Sequence, residues 1–207
     1  MLDPHTLLLF LTSALLLCLA PGPDNLFVLG QAMLRGPKAG YLVTLGLATG
    51  LIVHTSAVAL GVAALFQASA LAFTLLKVGG AAYLLYLAWG AWRAGAQGLS
   101  REQVQLSSQA LYRRGILMNL TNPKVSIFFL AFLPQFTQPE QGPLAPQLLL
   151  LGGLFILCAL LVFGFISLLA GRLGNWFARQ PKAESWMNRV AGTLFAGLAL
   201  RLLVTER

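Results

Sequence analysis

The sequence predicts an all-α integral membrane protein of six transmembrane helices, arranged as two inverted three-helix repeats. Three observations predict it. The 207-residue chain is 57% hydrophobic and only 10% charged, with mean hydropathy +0.77; soluble chains carry about 25% charge and cannot hide that much apolar surface. Six apolar stretches can be drawn along it. The basic residues then fall in alternate connections between those stretches. One domain, residues 1–207, is expected, with repeat one at about 6–92, a cytoplasmic linker at 93–114 and repeat two at about 115–204.

The first span, Thr6–Leu34, is long enough to cross a bilayer with some tilt. Leu7–Leu19 has the length of a signal-peptide core. However, Asp3 and His5 precede it without any Lys or Arg, and the apolar run resumes over Leu26–Met33, so a retained segment is expected. Pro21-Gly22-Pro23-Asp24 breaks the run. Each proline lacks an amide donor and clashes with the preceding turn, so the helix should split into two halves. Asp24 lies eleven residues before Arg35, which puts it roughly 15 Å from that end, near the middle of the hydrocarbon. An ionisable group at that depth marks a functional site.

The second span is Ala39–Leu65. Its Gly46-x-x-x-Gly50 permits close helix contact. His54 is a candidate proton relay, although a lone intramembrane histidine more often hydrogen-bonds between helices. In the third span, Leu71–Trp92, Lys77 reads as a residue snorkelling to the outer interface. Gly79 and Gly80 read as packing residues, and Tyr83, Tyr86, Trp89 and Trp92 as a partial interfacial belt. In the linker, Ser100 with Gln103 could cap a short surface helix. The fourth span, Gly115–Phe136, is interrupted at Asn122-Pro123-Lys124; Phe128, Phe129 and Phe132 face lipid or pack. Thr137–Pro146, with three prolines and a glycine, is a turn. The fifth span is Leu148–Ala170 and the sixth the short Val190–Val204, with Trp186 at its interface end.

Arg35 and Lys38 follow span one; Arg93, Arg101, Arg113 and Arg114 follow span three; Arg172, Arg179, Lys182 and Arg189 follow span five. The intervening connections, Phe66–Ala70 and Thr137–Pro146, hold no Lys or Arg. The positive-inside rule therefore places the basic connections in the cytoplasm and both termini outside. The net charge of +8 forms no aromatic-interleaved basic stripe, so nucleic acid is not an expected partner. Cys18 and Cys158 lack metal-ligand or CxxC spacing and read as small buried hydrophobes. No cofactor or metal is expected.

The halves look related. Pro23-Asp24 and Pro123-Lys124 occupy matching places, and Lys77-Val78-x-Gly80 resembles Arg189-Val190-x-Gly192. Three spans per half force the second copy to run inverted, and paired broken helices in inverted repeats point to a transporter's binding site. Lys124 lies ten residues after Arg114, level with Asp24 at about 15 Å depth. Pro23 and Pro123 suit the first position of the half-helices after them, with Asn122 and Gly22 as caps. The N-terminal ends of those half-helices should converge near the midplane and suit a carboxylate, while the carbonyl ends before each break suit a cation. A zwitterionic amino acid matches both. Asp24, Asn25, Asn122 and Lys124 are thus the candidate substrate-binding and proton-coupling residues, and Pro21, Gly22, Pro23 and Pro123 the helix breaks. A buried structural ion pair is the competing reading of Asp24 and Lys124.

In order, Pro21-Gly22-Pro23-Asp24, Arg35-Gly36-x-x-Ala39-Gly40, Lys77-x-x-Gly80-Ala81-Ala82-Tyr83-Leu84-Leu85-Tyr86-Leu87, Arg114-Gly115 leading to Asn122-Pro123-Lys124, and Leu133-Pro134-Gln135-Phe136 resemble the LysE/RhtB family of bacterial amino-acid exporters. The match runs over essentially the whole chain. The resemblance implies an exporter of amino acids or close derivatives in the cytoplasmic (inner) membrane, driven by the proton gradient, with homodimers thought to form in some members. Its motif residues carry over to Pro21, Gly22, Pro23, Asp24, Asn122, Pro123 and Lys124. Two other classes compete. A thiol-redox carrier would need cysteines beside both breaks, but only Cys18 lies near one. A non-transporting scaffold or sensor would need an input or output domain, and none is visible. Neither a Ser–His–Asp arrangement nor a metal cluster is visible either, so an enzyme is not expected.

Overall fold

The computed structural model describes residues 2–62, 70–94, 106–179 and 181–204. Within them the chain is helical throughout, without strands. The helices are α1 (Pro4–Leu19), α2 (Pro23–Arg35), α3 (Pro37–Ala57), α4 (Ala70–Arg93), α5 (Ser108–Thr121), α6 (Pro123–Ile127), α7 (Leu144–Arg179) and α8 (Pro181–Val204). Five of the eight begin with proline at the first helical position, where a missing amide costs no hydrogen bond. Helix α3 runs into a π-helical turn at Val58–Val62, and α6 continues through a π-helical turn (Phe128–Phe132) and a 3-10 turn (Leu133–Phe136).

Both predicted breaks are present. Helices α1 and α2 meet at 57°, and α5 meets the α6 segment, Pro123–Phe136, at 52°. Three helices are long and apolar enough to cross a membrane alone, over Pro37–Gly61, Leu144–Arg172 and Ser185–Val204; each bent pair, taken as one span, adds another. Helix α4 is 24 residues long, about 36 Å at the helical rise.

Several helix ends differ from the expected spans. Helix α5 starts at Ser108, inside the expected linker, because the Ser107 side chain caps it by accepting from the Ala110 amide at 3.2 Å. Helix α7 extends past Leu148–Ala170 at both ends, and α8 starts nine residues before Val190. Hydropathy marks where the bilayer ends, whereas the helix continues through polar residues. The capping pair Ser100 and Gln103 and most of the Phe66–Ala70 connection lie outside the described residues.

Packing rests on small residues and on phenylalanines. Gly46 and Gly115 bring α3 and α5 into backbone contact: a Cβ on Gly46 would stand 2.1 Å from the Tyr112 carbonyl oxygen, and one on Gly115 2.4 Å from that of Val43. Here only glycine fits. Phe128, Phe129 and Phe132 are fully buried, which settles them as packing residues. They stack with Phe155 and, through Phe136, with Phe10, at centroid separations of 5.1–5.2 Å. Helices α4 and α8 run antiparallel. Trp92 Nε1 donates to the Arg189 carbonyl (3.2 Å) at one end, and Lys77 Nζ to that of Leu203 (3.4 Å) at the other. Lys77 therefore caps a neighbouring helix end. Tyr86, Trp89 and Trp92 are exposed. Gly36, at φ +88°, turns the chain from α2 into α3 in a single residue, a conformation that favours glycine.

Candidate functional site

The candidate site is the junction of the two bends. A helix leaves its last four carbonyls without intrahelical donors. At the end of α1 the Leu16 carbonyl accepts from the Ala20 amide at 2.9 Å, and side chains take three more. Lys124 Nζ, from α6, donates to the Ala20 carbonyl at 3.2 Å and the Leu17 carbonyl at 3.5 Å. Asn25 Nδ2, from α2, donates to the Cys18 carbonyl at 2.7 Å. Gly22 precedes α2 in extended conformation and offers no side-chain cap.

The second bend is tighter. Only Asn122 separates α5 from α6. Its amide donates to the Asn119 carbonyl at 3.1 Å, and its Oδ1 accepts from the Lys124 amide at 3.0 Å. Its Nδ2 then crosses to the other bend and donates to Asp24 Oδ2 at 3.0 Å. Asp24, Asn25, Asn122 and Lys124 are all buried, none more than 9% exposed. The structure thus brings the four predicted site residues together, between Pro21, Gly22 and Pro23 on one side and Pro123 on the other. Asp24 hydrogen-bonds Asn122, while the Lys124 ammonium is held by backbone carbonyls.

His54 lies beside this junction on α3. Its Nε2 is 3.3 Å from the Asn119 carbonyl oxygen, and its ring stacks on Phe129 at 5.7 Å. A carbonyl only accepts, so Nε2 donates; the contact joins two helices. Cys18 and Cys158 are buried free thiols.

Two further polar residues escaped the sequence reading. Asn119 on α5 and Gln31 on α2 are buried, and their Oδ1 and Oε1 atoms lack partners, as do Asp24 Oδ1 and Asn25 Oδ1. Gln31 follows Asp24 by seven residues, two helical turns down the same face. Asn119 lies one turn before Asn122, inside an apolar stretch. Those spacings were signals available in the sequence. Among the described residues, every buried side-chain polar atom left without a partner is an oxygen that accepts. Each such atom costs about 1–3 kcal/mol unless a donor reaches it.

Residues 15–206 match the family model of LysE type translocators. The chain belongs to that family. Its relatives include a homoserine/homoserine lactone efflux protein of Salmonella typhimurium, 37% identical over 90% of each chain. An uncharacterized membrane protein of Vibrio cholerae is 36% identical over the whole of both chains. A leucine efflux protein of Salmonella choleraesuis is 28% identical, over 95% of this chain and 94% of that one. No solved structure matches. This LysE-family chain is a membrane protein of helical spans, and its named relatives are amino-acid efflux proteins.

Proposed function

We propose that this LysE-family protein is a secondary exporter of amino acids or close derivatives across the cytoplasmic membrane, coupled to protons, with its cargo bound where the two bent spans meet. The observation that carries the reading is the pair of unpartnered buried acceptors, Asp24 Oδ1 and Asn25 Oδ1, at that junction. An ammonium group supplies three donors and a positive charge, which suits a carboxylate beside an amide oxygen. The cargo's carboxylate would face the first-turn amides of α2 and the Lys124 ammonium. Asp24 is the group placed to exchange a proton with the cargo. The efflux relatives, named for homoserine, its lactone and leucine, narrow the panel of cargoes to try first.

The reading includes six spans in two inverted repeats, with both termini outside. In its support, the two bends have similar angles and fall at matching prolines. Helix α4 is long enough to supply the sixth span, and it pairs antiparallel with α8. Proton-driven export of radiolabelled homoserine and leucine from loaded cells tests the function. Asp24→Asn is expected to cut export about 100-fold or more, a loss of roughly 2.7 kcal/mol or more in transition-state terms, with the protein still folded in the membrane. Wild-type efflux by that variant removes the proposal. A cysteine at exposed Gln141 should react with impermeant reagent from outside, and one at Gln97 should not.

A further inference from the structure

The C-terminal end of α1 is built to hold a cation. Helix ends of this kind carry unpaired carbonyls and about half an elementary negative charge, and inside membranes they coordinate sodium ions or protons. The oxygens are in place here. Leu17 and Ala20 carbonyls point at Lys124 Nζ. Asn25 is 92% buried by its 8% exposure, and its Oδ1 has no partner. That oxygen and Lys124 Nζ lie on one small volume, since a methyl on Gly22 would stand 3.9 Å from the first and 3.2 Å from the second. Asp24, on the same turn as Asn25, supplies a buried carboxylate with a free oxygen of its own.

We propose that this helix end is a monovalent-cation site whose resident ion is the protein's own ammonium, on Lys124. With the amine in place sodium is excluded; with the amine removed sodium enters. The ammonium is tethered to α6, whereas its carbonyl ligands belong to α1. Occupancy is therefore set by how the two bent spans sit against each other, and not by the sodium concentration on either side. When the spans part, the ammonium leaves with α6, and no sodium ion need cross the membrane. The inference does not depend on the cargo, so it stands or falls separately from the export reading.

The test uses the full-length protein purified in detergent, without cargo. Thermal unfolding is compared in 100 mM NaCl, KCl, LiCl and choline chloride. Wild type is expected to melt at one temperature in all four. Lys124→Ala should melt lower in choline and recover in sodium by about 3 °C or more, the linkage expected for an ion that binds only the folded state. Lys124→Met keeps the bulk and blocks the volume, so it should be destabilised equally in every salt. A merely structural lysine would leave both variants indifferent to the cation. Lys124→Ala melting alike in all four salts, or failing to fold in sodium as in choline, overturns the proposal. So does a sodium-specific shift in the wild type that Asn25→Ala abolishes.

Discussion

The two bends are alike in shape and opposite in chemistry. Each lies directly before a proline, Pro23 or Pro123, and turns the chain by 57° or 52°. The first opens three residues between helices, has no side-chain cap, and has its loose carbonyls tied by Asn25 and by a lysine from the other half of the chain. The second opens only one residue, Asn122, which caps its own helix and still reaches across to Asp24. The first bend thus gathers acceptors, of which Asp24 Oδ1 and Asn25 Oδ1 lack partners, and the second supplies donors from Asn122 and Lys124. Two chemically identical bends would each be satisfied locally. Making one deficient and the other supplementary ties the two bends together, through Asn122 to Asp24 and through Lys124 to the α1 carbonyls.

The most disruptive way to break this asymmetry is Asn122→Ala. It removes a helix cap and the donor on a buried carboxylate, and the two losses together cost about 2–4 kcal/mol. Asn25→Ala removes a single bond to one carbonyl and should cost about 1–2 kcal/mol. Denaturation of the purified proteins in mixed detergent measures both. Equal losses would mean that the second bend is not the supplier. A smaller effect is expected from Gly22→Ala. Its φ of −176° is open to any residue, and the added methyl meets the Lys124 ammonium, the far end of a long side chain, at 3.2 Å. The melting temperature should fall by only about 1–3 °C, and by less still in the Lys124→Ala background, where the tip is gone. A fall of similar size in both backgrounds would separate Gly22 from the lysine.

How much of this was legible beforehand follows from how local each cause is. Proline chemistry acts within one turn, so Pro23 and Pro123 fix the breaks from sequence, and Asn122 before a proline announces its own cap. That Asp24 and Lys124 are buried and close to one another's helix break is expected from counting residues to the nearest arginine. What meets what is not local. Asn122 Nδ2 finds Asp24 across 98 positions, and the Lys124 ammonium finds carbonyls of α1 that hydropathy does not register. Asn119 and Gln31 were visible as polar residues in apolar runs, but only the packed helices show that their oxygens are buried and unpartnered.

The gentlest test lies at the far end of α1, away from both bends. Asp3 caps that helix: its carboxylate accepts from the Thr6 amide at 2.9 Å and the Thr6 hydroxyl at 2.6 Å. The Gln138 side-chain amide also donates to it. Through Gln138, whose amide and carbonyl are bridged by the Gln147 side chain, the cap is joined to the start of α7. Hydrogen bonds from Thr6 hold the Asp3 carboxyl down at about 2, against an ordinary 3.8. A carboxyl held below its unfolded value stabilises the fold above that value, and the contribution is lost as pH falls through the folded one. Asp3→Ala should therefore lower the melting temperature by about 2–4 °C, by a constant amount from pH 8 to pH 5, with the gap to wild type closing between pH 4 and pH 2. Export should be unchanged, because no donor or acceptor at the junction has moved. A loss of export at full stability would show that the two ends of α1 are coupled, and that the bend is not the only place where cargo and helix compete.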